Sequence, residues 1–234
     1  MKAIYHKEMR QYLTSFAGAV FLAAYAALIG YQFTVGNLLA QSGEMSGLFS
    51  QIMSMLMFLV PILTMRLFAE EKKMRTDQLL MTSPVTIGQI VSGKFMASLS
   101  MFVIGSLPLA AAACIMRFYG VAFTLETAGN FAALLLAGAA FISIGLFASA
   151  ITENQIVAAI VSYVMMIGLW LLDYLRLYAG QGLAGEALRF LSVRAHTAQL
   201  ASGIFSLSTA VYFLGLTALM LGLTRTVMES RRCR

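Results

Sequence analysis

Residues 131–175, FAALLLAGAAFISIGLFASAITENQIVAAIVSYVMMIGLWLLDYL, contain two long apolar runs separated by Thr152, Glu153 and Asn154. The hydrocarbon core of a bilayer is about 30 Å thick and an α-helix rises about 1.5 Å per residue, so about 20 apolar residues span it. Each run has that length, and the three residues between them leave room only for a short connection. The stretch predicts a hairpin of two membrane-spanning helices.

The composition extends this interpretation to the whole chain of 234 residues, which is 60% hydrophobic and 11% charged with a mean hydropathy of +0.83. Soluble domains are about a quarter charged. This chain has too little polar surface to cover a globule in water, which excludes a soluble enzyme. We expect an all-α membrane protein with one transmembrane domain over residues 1–234. Its spans, named one to six in chain order, are 17–35, 47–65, 95–116, 131–151, 155–175 and 207–224.

Lysine and arginine are distributed unevenly between the connections. Twelve of the 16 lie before span one, between spans two and three, or after span six, and the other four lie in the alternate connections. Basic residues collect on the cytoplasmic side of membrane proteins. The pattern therefore predicts that both termini are cytoplasmic. In a membrane protein we expect the net charge of +6 to interact with the lipid membrane and not with nucleic acid.

Two further segments are amphipathic. The first predicts a helix on the inner leaflet, since apolar residues recur on one face and polar residues on the other. The apolar face holds Ile4, Tyr5, Met9, Tyr12, Leu13 and Phe16, and the polar face Lys2, His6, Lys7, Arg10 and Gln11. The second, residues 183–205 before span six, predicts an outer segment that is either a shallow re-entrant element or a lid.

The spans carry little chemistry. No ionisable residue lies near a bilayer centre, and Asp173 with Arg176 near the outer end of span five forms either an interfacial ion pair or part of a substrate gate. We expect Lys94 to anchor span three by snorkelling. We expect kinks at Pro61 and Pro108. We expect hydrogen bonds between helices at Gln51, Ser54, Ser100, Ser106, Ser143 and Ser162, and close helix approach at glycines 138, 145, 168, 215 and 222.

The sequence predicts no catalytic residue, no metal site and no bound cofactor. Cys114 lies in an apolar run and Cys233 in the basic C-terminal tail, so the two cysteines do not suggest a disulfide. Residues 88–95 fit Gly-x-x-x-x-Gly-Lys, but Phe95 stands where a nucleotide-binding loop needs Ser or Thr for magnesium. We therefore expect no nucleotide to bind there.

The connection between spans two and three, PILTMRLFAEEKKMRTDQLLMTSPVT (61–86), is the most informative. It predicts a charged helix with local pairs among Glu70, Glu71, Lys72 and Lys73. Thr76 can cap a short helix with Leu79 and Leu80 as an apolar knob, which Ser83-Pro84 ends. Thr86 and Gln89 form a capping box that begins the helix leading into span three. The spacing alone fits an element that docks on a partner or an ordinary connection.

Three motifs here resemble the permease subunits of ABC-2-type exporters, within them the gliding-motility and copper-nitrous-oxide-maturation type. They are Pro61-x-x-Thr64-Met65-Arg66-x-x-x-Glu70-Glu71, Gln78-Leu79-Leu80-x-Thr82-x-Pro84-Val85, and Gly93-Lys94. The chain departs from the family at Arg75-Thr76-Asp77-Gln78, where Gly-Thr-x-Glu is usual.

The resemblance implies a half-transporter in a bacterial or archaeal plasma membrane. Two permease chains, identical or related, would work with two separate ABC ATPase subunits that bind the ATP. Residues 76–84 would be the coupling helix in an ATPase groove, spans two and five would line the permease dimer interface, and residues 183–205 would close the outer side. The implied ATPase contacts are Glu70, Glu71, Arg75, Thr76, Asp77, Gln78, Leu79, Leu80, Thr82 and Pro84, with Glu153 and Asn154 as a second contact.

Two other functions are compatible with six uncharged spans. The chain could be a channel or facilitator that works without ATP, or a membrane assembly protein without transport activity. The substrate and the direction of transport do not follow from the residues.

Overall fold

The computed structural model describes residues 2–76, 85–121, 124–179, 193, 196 and 207–232, with the backbone alone at 173–179, 207 and 232. Residues 77–84 of the predicted coupling helix, most of the outer segment, and the side chains of Asp173 and Arg176 lie outside the described residues. The longer helices are α1 (Lys2–Thr14), α2 (Phe16–Phe33, continued by a π-helix at Thr34–Leu39), α3 (Met45–Thr64), α4 (Ala69–Lys73), α5 (Ile87–Gly105), α6 (Leu107–Phe118), α7 (Leu125–Ile151), α8 (Gln155–Ala179) and α9 (Leu207–Arg232).

Six stretches of these helices are long and apolar enough to cross a membrane, and each coincides with one predicted span. The described residues contain no β-strand. The prediction of an all-α membrane protein is therefore confirmed. The stretches are Phe16–Leu39, Met45–Lys73, Ile87–Phe118, Leu125–Ile151, Gln155–Leu172 and Ser208–Arg231.

Helix α7 lies at the centre of the bundle, where it contacts α3, α5, α8 and α9. Its glycines permit this packing, because a Cβ atom at Gly138 would clash with the ring of Phe102, and one at Gly145 with the side chain of Thr64. The predicted close approach is confirmed at these two positions. At glycines 168, 215 and 222 a Cβ would meet nothing within 4 Å among the described residues, so no close approach is seen there.

The polar residues of the spans also join helices at some of the predicted positions and not at others. Ser100 accepts a hydrogen bond from the Tyr5 hydroxyl at 3.1 Å, and the hydroxyls of Ser106 and Tyr25 lie 3.3 Å apart, so both serines join helices as predicted. The other four do not. Ser54 and Ser143 bond to carbonyls of their own helices, the Ser162 hydroxyl is buried with no partner in the described structure, and Gln51 is exposed.

Two spans are interrupted. Span two ends its first helix at Thr64 and resumes at Ala69, and span three breaks at Ser106, with Pro108 in the first turn of α6. A proline fits the first turn of a helix, whose N–H groups have no partner within that helix. The expected kink at Pro108 is thus a helix boundary, whereas Pro61 lies inside α3.

Span three begins at Ile87, eight residues before the predicted boundary at 95. Thr86 caps α5 as predicted, accepting a hydrogen bond from the backbone N–H of Gln89 at 3.4 Å. The longer helix puts Lys94 inside the bundle. We call this end of the molecule, where α4 ends, α5 begins and α7 passes into α8, the basic end, because the basic helix α1 packs there.

Candidate functional site

Helix α1 lies against α5 at the basic end. Its packed side includes Glu8 and Tyr12, and the Tyr12 hydroxyl donates to the Leu63 carbonyl at 3.0 Å and lies 3.0 Å from the Ser98 hydroxyl. Burial raises the pKa of Tyr12, which keeps the hydroxyl protonated as a donor.

The predicted apolar face of α1 is packed on the bundle at Tyr12 and exposed at its C-terminal end, which leaves that end available to the leaflet. Leu13 and Phe16 are 59% and 85% exposed, while Glu8 is buried. An acidic residue takes the packed side because a buried lysine on α5 lies opposite it.

That lysine is Lys94, whose ammonium group forms three hydrogen bonds. Its Nζ donates to Glu8 Oε1 at 2.8 Å and to the Leu67 carbonyl at 2.6 Å, and it lies 2.9 Å from Glu71 Oε2. The Lys94 side chain is only 1% exposed. The prediction that Lys94 snorkels to the surface is wrong, because three acceptors from two neighbouring elements match its three N–H groups.

The second oxygen of Glu71 accepts a hydrogen bond from Lys7 Nζ at 2.7 Å. Lys7 also lies 3.7 Å from Glu8, so two carboxylates and two ammonium groups form a cluster without net charge. Burial favours a lower pKa for Lys7, but the hydrogen bond and charge of Glu71 outweigh it and raise that pKa. Buried charges are tolerated when they are paired and hydrogen-bonded in this way.

The expected local pairs along α4 are also corrected. Glu70 pairs one turn back with Arg66, which was not among the expected partners, through bonds of 2.7 and 2.8 Å. Glu71 instead reaches α1 and α5, and Lys72 reaches the end of α7. The sequence pattern suggested pairs at helical spacing, whereas the buried neighbours offer partners with less exposure to water.

A side chain of α7 bridges the gap in span two, which lies between Thr64 and Ala69. The Ser149 hydroxyl accepts hydrogen bonds from the backbone N–H groups of Phe68 and Ala69, both at 3.0 Å, and donates to the Met65 carbonyl at 3.1 Å. The first N–H groups of a helix have no partner within that helix. Ser149 thus satisfies the beginning of α4 from a neighbouring span.

Lys72 links α4 to the last turn of α7. Its Nζ donates to the Ala150 carbonyl and, at 3.4 Å, to the Thr152 carbonyl, while Arg231 of α9 donates to the Ile151 carbonyl at 3.1 Å. Cations are favourable at a helix C-terminus because they complement its dipole and its unpaired carbonyls. We call Glu8, Glu71, Lys72, Lys94 and Ser149 the basic-end clamp.

Helix α4 ends in a Schellman motif. The N–H of Thr76 bonds to the Glu71 carbonyl at 2.9 Å, and that of Arg75 to the Lys72 carbonyl at 3.0 Å. Arg75 has a φ of 54°, a conformation that favours glycine. The backbone thus keeps the left-handed turn although arginine stands where the resembling family has glycine. The Thr76 hydroxyl donates back to the Glu71 carbonyl at 3.3 Å.

The structure brings the described members of the predicted coupling set to one place. Glu70, Glu71, Arg75 and Thr76 lie on or just after α4, and the connection with Glu153 and Asn154 lies beside it, since Lys72 bonds to that connection. Glu153 and Asn154 are exposed, and Asn154 Oδ1 accepts from the Ile156 N–H at 2.9 Å to begin α8. The remaining members lie outside the described residues: Asp77, Gln78, Leu79, Leu80, Thr82 and Pro84.

Sequence reasoning missed Glu8, Lys72, Lys94 and Ser149 as members of this site. One signal was available, because Glu8 is the sole acidic residue of a basic helix, which suggests a specific partner. No group of three or more His, Cys, Asp or Glu that could hold a metal occurs in the part of the chain that the structure describes.

Six apolar helices, with the charged connection between spans two and three packed at the basic end, define a multi-pass membrane protein. Residues 2–228 match the family described as "ABC-2 family transporter protein". The chain belongs to this family and is a permease component of an ABC transporter, and the family implies an ABC ATPase as its partner. No curated protein is similar enough to the chain to count as a match.

Proposed function

We propose that the chain couples ATP hydrolysis by two separate ABC ATPase subunits to the export of a substrate, together with a second permease chain that is identical or related. The observation that carries this proposal is the basic-end clamp. It ties α4, the element that leads directly into residues 77–84, to α1, α5 and α7.

The clamp supports a specific path for the motion. If an ATPase groove holds residues 77–84, movement of the groove acts on α4. Lys72 and Ser149 transmit the movement to α7, and Glu71 transmits it through Lys94 to α5 and through Lys7 to α1. A small displacement at the coupling helix thereby moves the ends of spans two, three and four together, which suits a switch by rigid-body motion.

In this proposal the distribution of basic residues sets the orientation of the chain in the membrane. The basic end, with both termini, faces the cytoplasm of a bacterium or archaeon, where the ATPases bind ATP and the permease chain itself binds no cofactor and hydrolyses nothing. Glu153 and Asn154 form the second ATPase contact, because they are exposed beside α4. The three motifs around residues 61–94 favour the gliding-motility and nitrous-oxide-maturation type.

The permease dimer forms through spans two and five in this proposal. These spans lie side by side, with the Tyr163 hydroxyl donating to the Phe58 carbonyl at 2.7 Å. The neighbouring side chains of Phe58, Ile160 and Val164 are more than half exposed in the isolated chain. A second permease would cover this apolar surface.

The test is to replace the apolar knob by Leu79→Asp with Leu80→Asp in the full complex. We expect the variant to insert and fold normally but to lose transport-linked ATP hydrolysis, because two carboxylates replace the side chains that fill an apolar groove. Leu125→Asp is the matched control, since Leu125 is 89% exposed at the other end of the bundle, where an acid is favourable at a helix N-terminus. Normal coupling in the double variant, or nucleotide-independent flux through the chain alone, would reject the proposal in favour of an ATP-independent channel.

A further inference from the structure

The exposed side of α1 carries a shallow, open depression, here called the groove, that the transport proposal does not use. The groove is lined by His6, Lys7, Arg10, Gln11 and Thr14. Arg10 is exposed, and within the described residues no acidic side chain pairs with its guanidinium group. An exposed arginine without a partner in a membrane-bound chain is available to an external anion.

The groove is positive because the acidic residue of α1 faces away from it. Glu8 lies on the packed side, where Lys94 holds it at 2.8 Å. Lys7 is neutralised by Glu71 at 2.7 Å, so Lys2 and Arg10 carry the excess positive charge on the exposed side of the helix. The amide of Gln11 adds a neutral donor at the same place, whereas the Thr14 hydroxyl already donates to the Arg10 carbonyl at 2.8 Å.

Apolar side chains follow immediately along the helix. Leu13 lies three residues after Arg10, and Phe16 begins the first membrane span, and these two side chains are 59% and 85% exposed. Residues three or four apart are neighbours on a helix surface. Arg10 therefore lies beside an exposed apolar side chain and shortly before the first span.

We propose that this groove binds the phosphate headgroup of an anionic phospholipid in the leaflet at the basic end, with Arg10 as the principal phosphate contact. A lipid is favoured over a free phosphate because the exposed apolar side chains of Leu13 and Phe16 follow Arg10 in the chain, and an acyl chain would cover them where a phosphate would not. The proposal goes beyond the transport function, since it needs neither ATP nor an ATPase. It also gives Lys7 two roles, because Lys7 lines the groove and bonds to Glu71 at 2.7 Å.

The test is native mass spectrometry of the purified full chain in a neutral detergent, titrated with phosphatidylglycerol or with phosphatidylcholine of the same acyl chains. We expect phosphatidylglycerol to bind more tightly. Arg10→Gln should weaken its binding roughly fivefold, the loss expected when one basic residue leaves an anionic lipid surface. Arg117→Gln is the matched control, since Arg117 is also exposed but lies at the opposite end of span three.

Three results would overturn the proposal. Equal binding of the two lipids would remove the preference for an anionic headgroup. Equal weakening by Arg10→Gln and Arg117→Gln would indicate attraction to net charge and not to a site. Displacement of the lipid by excess glycerol 3-phosphate would show that the groove recognises free phosphate. Because Arg10 is exposed and contributes no side-chain contact within the described residues, Arg10→Gln should fold, and its unfolding midpoint checks this.

Discussion

Lys94→Met should strongly destabilise the basic-end clamp. It removes the ammonium group that Glu8, Glu71 and the Leu67 carbonyl share, while it keeps a side chain of similar length. The side chains of Glu8 and Glu71 are only 6% and 12% exposed, and within the described residues Lys7 is their remaining basic partner.

The magnitude follows from this burial. Removing one partner of a buried ion pair costs about 3–5 kcal/mol, mostly because the other charge is left uncompensated. Lys7 still contacts Glu71, but its side chain is 51% exposed and solvent screens its charge. We therefore expect the free energy of unfolding to fall by about 3 kcal/mol, the lower value of that range.

The assay is unfolding of the full chain in mixed micelles with increasing sodium dodecyl sulfate, followed by circular dichroism. Lys73→Met is the control, since Lys73 is an exposed lysine at the end of α4 and should change the unfolding free energy by less than about 0.5 kcal/mol. Adding Glu8→Gln to Lys94→Met removes the uncompensated carboxylate and should restore about 2 kcal/mol. The reasoning would be refuted if Lys94→Met were as stable as the parent, or if Glu8→Gln destabilised it further.

Three more substitutions test individual contacts by the same unfolding assay. Ser149→Ala leaves two backbone N–H groups at the gap in span two without their acceptor and should lower the free energy of unfolding by about 2 kcal/mol. Ser143 is equally buried on the same helix, and Ser143→Ala should lower it by less than about 1 kcal/mol. Equal losses in the two variants would contradict the capping role of Ser149. Gly145→Ala should cost about 1–3 kcal/mol by overpacking, while Gly168→Ala meets open space and should not destabilise the chain. Arg75→Gly should gain about 1 kcal/mol, because glycine adopts the left-handed turn without strain, and a loss would show that the arginine side chain is needed there.

The spans could be predicted because each depends on its own residues. A run of about 20 apolar side chains crosses a bilayer whatever its neighbours are, and Thr86 caps α5 through a residue only three positions away.

The clamp could not be predicted because its partners are distant in sequence. Lys94 lies 86 residues from Glu8, and Ser149 lies 81 residues from Phe68. Taken alone, Lys94 at the start of a span is expected to reach towards water, and only the packing of α1 on α5 brings a carboxylate to it. The glycines depend on orientation in the same way, since Gly145 faces a neighbouring helix and Gly168 does not.

In the proposed mechanism an ABC ATPase docks on residues 76–84 and acts on the spans through α4. Site-specific cross-linking in the intact complex tests it most directly, with a single cysteine introduced as Leu79→Cys or, as the control at the opposite end, Leu125→Cys after removal of Cys114 and Cys233. We expect a cross-link from position 79 to an ATP-hydrolysing chain, with a yield that changes when ATP binds, and none from position 125. A cross-link from position 125 alone, or none to an ATPase from position 79 in a folded complex, would contradict it.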